Sequence, residues 1–216
     1  SYREDDQLGG RDPYSASKGA AELITNSYLK SFFVNKKNIR VAIARAGNVI
    51  GGGDWSSDRI IPDCVKSWYK NKKITIRSPK STRPWQHVLD AIRGYLILAI
   101  KLNDKKIHGE AFNFGPDNKQ NKNVLDLVKE IKKNWQGVEW KIKQDIKLKN
   151  KESNLLKLNS YKAKKILNWY PVLNFKNSIK FTANWYKQYN IVGKANIKII
   201  SIENIISYNK LLKKDN

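Results

Sequence analysis

The stretch Asp12-Pro13-Tyr14-Ser15-Ala16-Ser17-Lys18-Gly19-Ala20-Ala21-Glu22 decides how the rest of the chain is read. Asp before Pro is a helix start. The carboxylate accepts free backbone N–H groups, and the proline's fixed φ suits the first helical position. A helical pattern then runs to about Val34, with Ala16, Ala20, Leu23, Ile24, Tyr28 and Leu29 near one face. Tyr14 and Lys18 stand one turn apart on the same side. An ammonium beside a phenol favours phenolate and draws a pKa of about 10 toward working pH. Such a tyrosine is a usable general acid or base toward a hydroxyl, and the lysine can donate to a ribose. Taken alone, the pair reads first as a solvated helix pair.

Outward from that helix, residues 39–46 are a β-branched run that reads as a buried strand ending at Gly47. Gly47, Gly51, Gly52 and Gly53 make the next segment a tight loop. The pattern then predicts a helix over 60–70, short strands over 74–76 and 85–88, and an apolar helix over 90–102. Next come a strand over 111–114, a helix over 123–135 capped by Asn123, and a strand over 138–142. Residues 143–157 are Lys-rich and read as loop. Ser160 caps a short helix to Leu167, and residues 175–189 form another. From Ile191 a strand-like Ile-rich piece leads to a last helix at about Ser201. Helices alternating with short β-branched strands make an α/β chain.

The 216 residues carry 42 Lys+Arg against 19 Asp+Glu, a net charge of +23. Such an excess raises nucleic acid or an anionic membrane as partner. Its texture argues otherwise. Eight of the cations are Arg and 34 are Lys, and Lys, Asn and Ile together make 81 residues, all three with AT-rich codons. The lysines are spread over nearly every segment, whereas a nucleic-acid binder gathers cations on one face and uses Arg for bidentate recognition. With 40% apolar residues and seven Trp, the chain can build a core and is no disordered basic tail. No run of 18 apolar residues suggests a membrane span, and the front of the chain has no signal-like apolar region. A single Cys64 excludes an internal disulfide and a Cys-based zinc site, which fits a reducing, cytoplasmic setting.

Several motifs in order give the helix its meaning. Residues 13–22 resemble the active-site helix of the extended short-chain dehydrogenase/reductase family. Arg45-Ala46-Gly47-Asn48-Val49-Ile50-Gly51-Gly52-Gly53-Asp54-Trp55 resembles the segment after it in the sugar-nucleotide branch. Asp58-Arg59-Ile60-Ile61-Pro62-Asp63, Ile76-Arg77-Ser78-Pro79 and Arg83-Pro84-Trp85-Gln86-His87-Val88 are similar to the 4,6-dehydratases that act on CDP-glucose. The resemblance runs from Tyr2 to about Tyr189. It implies the end of a Rossmann-type NAD-binding domain over 1–59 and a smaller mixed α/β substrate-binding domain over most of 60–190. Some segments of the latter return to the sheet, and 191–216 is a C-terminal extension. It implies Tyr14 as the catalytic acid/base at the sugar C4 hydroxyl, and Lys18 on the nicotinamide ribose with Ala46 beside the cofactor. Asn48 and Arg83 would meet the diphosphate of the nucleotide sugar, Arg59 and Arg77 would be weaker partners of the same anion, and Asn113 would line the nucleotide pocket. Relatives pair as homodimers through the Tyr-bearing helix, to which Tyr28, Leu29 and Phe32 could contribute here. An epimerase of the same family and a basic nucleic-acid-binding module are the alternatives.

The sequence departs from the family pattern in two places. The glycine fingerprint of a dinucleotide turn is absent, and Gly51-Gly52-Gly53 lacks the strand–turn–helix context to replace it. That absence and the lack of any Met lead to the expectation of a C-terminal portion, with the fingerprint ahead of Ser1 and little NAD affinity on its own. Asn154 and Asn159 also stand where the family usually has His and Asp. Cys64 is expected to be a packed thiol, His87 structural and His108 a lone histidine. Trp135, Trp140, Trp169 and Trp185 are expected to be packing residues, and Lys162, Lys164 and Lys165 a solvated face.

Overall fold

Asp12 starts the first helix as its neighbours dictate. Its carboxylate accepts from the Ser15 amide at 2.9 Å and from the Ser15 hydroxyl at 2.7 Å. The hydroxyl, and after it the amide, hold the Asp12 carboxyl below its usual range. A computed structural model describes residues 1–10, 12–117, 122–135, 139–143 and 156–213. In it α1 spans Pro13–Tyr28 and runs into a π-helical turn over Leu29–Phe33. A fork of bonds from Arg45 to Glu22, 2.6 to 3.0 Å long, anchors α1 to β1 (Ile43–Ala46).

Beyond Gly47 the expected loop contains a strand, β2 (Asn48–Ile50), and the glycine turn begins only at Gly51. Next along the chain are α2 (Ile60–Trp68), β3 (Ile74–Ile76), β4 (Thr82–Arg83), β5 (Trp85–His87), α3 (Val88–Lys101), β6 (Ala111–Phe114), β7 (Lys122–Asn123) and α4 (Val124–Asn134). After them come β8 (Trp140–Ile142), α5 (Tyr161–Leu167), α6 (Phe175–Val192) and α7 (Ile197–Leu212). Three ladders are parallel: β1 with β6, β2 with β5, and β3 with β8. The short β4–β7 pair is antiparallel. Parallel pairs joined by helical crossovers are the signature of an α/β fold, as the alternation of patterns predicts.

Two further expectations about elements fail. Ser160 stands at the cap position of α5, but its hydroxyl donates to the Gly115 carbonyl at 3.4 Å, and the Asn159 side chain takes the Tyr161 amide instead. The Ile-rich tail is helical, not strand-like: a 3₁₀ turn over Lys194–Asn196 leads directly into α7. Burial of Ile200 beside α6 outweighs the few tenths of a kcal/mol that each β-branched residue costs a helix. Among other expectations, the strand over 138–142 is described only over Trp140–Ile142, and Asn154 lies outside the described residues.

Two hydrophobic clusters fill the interior. One joins α2, β3, α4 and α6 through Ile61, Val65, Trp68, Leu127, Ile179 and Trp185, and includes Cys64, whose thiol burial pushes well up. The other packs α3, β6 and α5 through Leu98, Phe112, Phe114, Leu167 and Trp169. The lysines of α5 are less free than expected: Lys162 pairs with Glu110 and sits over the Phe112 ring.

A buried carboxylate ties the second cluster to the C-terminus. Asp90 accepts from the amides of Val172 at 2.8 Å and Leu173 at 3.1 Å, and from the Tyr208 hydroxyl at 2.7 Å. Asp90→Ala strands these buried donors and is expected to cost about 3 kcal/mol in urea unfolding. His87, fully buried at the start of α3, caps it through Nδ1, which accepts the Leu89 amide at 3.3 Å. Burial pushes its pKa from 6.5 down to about 4. The unfolded chain therefore takes up this proton first. The stability that neutral His87 confers is present above pH 6.5 and is lost as pH falls to about 4, a loss of about 3 kcal/mol. His87→Asn, which keeps an acceptor for the cap, is expected to flatten that part of the pH profile of unfolding.

Candidate functional site

A cleft of about 670 Å³ opens between the first turn of α1, β2, the loop before α2 and the β4–β5 corner. Tyr14, Asn48, Arg59 and Arg83 line it together. These residues come from four separate motifs, and the fold brings them to one place. Pairing β2 with β5 sets Asn48 opposite Trp85, and the Asn48 amide donates to the Pro84 carbonyl at 3.0 Å. That pairing carries Arg83, just before β5, to the same end of the ladder.

Tyr14 is 70% exposed, and the Lys18 ammonium stands 5.7 Å from its ring centroid, over the ring. Arg59 pairs with Asp54 at 3.3 Å across the cleft loop. Partial burial works to raise the Asp54 carboxyl, but the Ser56 amide and hydroxyl and the Arg59 guanidinium outweigh it and hold the group below its usual range. Arg83 donates to the Thr82 carbonyl at 2.9 Å.

Four expected residues do not line this cleft. Lys18 lies a turn beyond Tyr14. Ala46 ends β1 opposite Phe114. Arg77 is held by Asp58 at 3.0 Å, so only Asp58, with a left-handed φ of 61°, lies in the cleft wall. Asn113 is buried in β6. Its amide donates to the Glu4 carboxylate at 2.8 Å and its side-chain NH₂ to the Tyr2 carbonyl at 3.3 Å, so it packs on the N-terminal segment. A larger cavity, about 980 Å³, lies beside that segment and contains none of the expected site residues.

The cleft also has walls that motif reading does not single out: Asp54, Asp58, Ile61, Trp85 and Val124. Asp54 had a signal in the sequence, a carboxylate directly after three glycines. Of those glycines, Gly51 lines the cleft, whereas a Cβ on Gly52 would stand 2.0 Å from Trp185, so Gly52 seats that indole. The chain's residues therefore fit one end of a dinucleotide, the ribose that an exposed phenol and ammonium could hold. Among the described residues no helix is long and apolar enough to cross a membrane, and no group of three His, Cys, Asp or Glu could hold a metal ion.

The chain is 38% identical over 192 residues to the CDP-glucose 4,6-dehydratase of Salmonella typhimurium, covering 86% of this chain and 53% of that protein. It is 34% identical over 132 residues to the dTDP-D-glucose 4,6-dehydratase of Dictyostelium discoideum, covering 61% of this chain and 28% of that one. The chain thus spans about half or less of the length of these curated relatives. In fold it resembles the NAD complex of dTDP-glucose 4,6-dehydratase from Bacillus anthracis, with a TM-score of 0.70 at 23% identity over 90% of this chain and 58% of that one. It also resembles UDP-glucuronic acid 4-epimerase from Bacillus cereus, with a TM-score of 0.72 at 22% identity over 87% and 56%. Residues 1–115, which carry the Tyr14–Lys18 helix and all four walls of the cleft, match the NAD dependent epimerase/dehydratase family, and the chain belongs to that family.

Proposed function

We propose that the chain carries the substrate side of a sugar-nucleotide 4,6-dehydratase that converts CDP-glucose to CDP-4-keto-6-deoxyglucose. The observation that carries this reading is the gathering of Tyr14, Asn48, Arg59 and Arg83 in one cleft. A planar guanidinium fork suits the paired oxygens of a diphosphate, and Arg83 and Arg59 present two such forks beside the Asn48 amide side chain. Tyr14 stands at the other wall with its hydroxyl in solvent reach. In this reading its oxygen takes the proton that the sugar C4 hydroxyl gives up when C4 is oxidised. The resulting ketone acidifies C5–H, so water can leave across C5 and C6. NAD, when bound, supplies the hydride acceptor and donor. Lys18, on the same helix side as Tyr14, holds the ribose end of that cofactor and keeps a positive charge beside the phenol.

The identity to a CDP-glucose 4,6-dehydratase favours dehydration over epimerisation. The division into a Rossmann part over 1–59, a substrate part over most of 60–190 and an extension over 191–216 belongs to this proposal. The β1–β6 ladder returns residues 111–114 to the first part. Pairing as a homodimer through α1 and the π-helical turn after it also belongs to the proposal: Leu23, Ile24, Tyr28 and Phe32 are more than half exposed there, whereas Leu29, expected on that face, is buried. A cytoplasmic setting fits the lone, buried Cys64. A nucleic-acid partner is not part of the proposal, because the lysines are spread over nearly every segment of the chain.

Calorimetric titration of the chain with CDP-glucose tests the reading. Binding is expected, and Arg83→Ala is expected to weaken it by at least about tenfold. Arg83→Lys, which keeps the charge and loses the fork, is expected to recover only part of that loss. No binding, or equal binding by Arg83→Ala, would overturn the assignment.

A further inference from the structure

The cleft loop rests on the C-terminal helices, which lie outside the family-matched residues. Tyr186 of α6 is fully buried, and its hydroxyl donates to the Asp54 carbonyl at 2.6 Å. Burial pushes that phenol well up, so it stays a neutral donor. The Asp54 carboxylate in turn accepts from the Ser56 amide at 3.0 Å and from Arg59 at 3.3 Å. Trp185, the next residue, occupies the space beside Gly52 and packs edge-on to Tyr186, 5.2 Å between ring centroids. Its indole N–H donates to the Ser201 hydroxyl of α7 at 3.1 Å, and Ser201 donates to the Ile197 carbonyl at 3.0 Å. Trp55, directly after Asp54, closes the other side of Tyr186 at 5.3 Å.

We infer that Tyr186 is a positioning residue for the anion-binding cleft: through the Asp54 carbonyl it sets the loop whose carboxylate aims Arg59, with Trp185 and Ser201 of α7 bracing it from behind. The inference rests on the reading of the cleft as a nucleoside-diphosphate site. The chain Tyr186–Asp54–Arg59 has one exposed end and one buried end. Removing the buried hydroxyl leaves the Asp54 carbonyl without its donor and lets the loop move away from α6. Arg59 would then meet the anion from a wider range of positions, and affinity would fall even though no group that touches the ligand has changed. Asp58, in the same loop with its left-handed backbone, and its partner Arg77 would move with it.

A double-mutant cycle on the 216-residue chain, read by calorimetry with CDP as ligand, separates positioning from general stability. Tyr186→Phe is expected to weaken CDP binding about fivefold in the otherwise unchanged chain, and by less than about 1.5-fold in an Arg59→Ala background. A merely structural role would weaken binding by the same factor in both. Ser201→Ala, which leaves the indole N–H of Trp185 without its acceptor, is expected to show the same dependence on Arg59 with a smaller effect, and it serves where Tyr186→Phe fails to fold. If the unsubstituted chain does not bind CDP, the nucleotide reading fails and this one with it. If CDP binds and both substitutions act equally with and without Arg59, or not at all, the positioning role alone is overturned.

Discussion

Two consecutive backbone amides send the chain in two directions. Gly47 donates to the Phe114 carbonyl at 3.2 Å, and Asn48 donates to the Pro84 carbonyl at 3.0 Å. One extended segment therefore serves two ladders, β1–β6 on one side of Gly47 and β2–β5 on the other. The switch requires the backbones to come very close: a Cβ at Gly47 would lie 2.6 Å from the Pro84 carbonyl oxygen, so only glycine fits. The rest of the site hangs from this point. Residues 48–50 run on toward α6, with Ile50 in the larger cluster, residues 43–46 stay paired with β6, whose Phe112 and Phe114 belong to the other cluster, and Tyr14 lines the cleft beside β2.

The charges follow a division of labour. The net +23 is mostly Lys, and most described lysines lie on the surface without a buried partner. The arginines are placed where a fork is needed. Arg45 clamps α1 through Glu22, and Arg93 donates to the Tyr208 hydroxyl at 3.1 Å beside buried Asp90. Arg59 and Arg83 stand in the cleft. Surface ammonium groups in water contribute little each, and salt screens them. Arg59, held by the Asp54 carboxylate, keeps its geometry and its charge. Composition alone therefore says less about a partner than the placement of a few Arg does.

Elements with strong local chemistry were legible from the residues alone. Asp12-Pro13 and the Asn123–Asp126 capping box state their helices in the sequence because the cap is a contact within three residues. Where a partner far along the chain decides, the local pattern misleads. Asn48-Val49-Ile50 looks like part of a glycine loop until β5 pairs with it. Ile197 to Ile200 looks like part of a strand until α6 offers a surface for Ile200, and Ser160 looks like a cap until Gly115 takes its hydroxyl.

The same distinction governs the site. Tyr14, Asn48, Arg59 and Arg83, each from one of the ordered motifs read in the sequence, meet in one cleft. Asn113 fits the same motif logic, yet β6 turns it onto Glu4 and Tyr2, since its orientation is fixed by strand register and not by residue type. What supports the cleft was not legible at all. Trp185 and Tyr186 are about 130 residues from the loop they hold, and an aromatic pair on a helix reads as ordinary core. Their role emerges only from a coincidence of two local facts: a glycine that cannot carry a Cβ, and a buried hydroxyl that must find an acceptor. The first clears a space for Trp185. The second fills its need with the Asp54 carbonyl, and so couples the packing of the C-terminal helices to the direction of a guanidinium in the cleft.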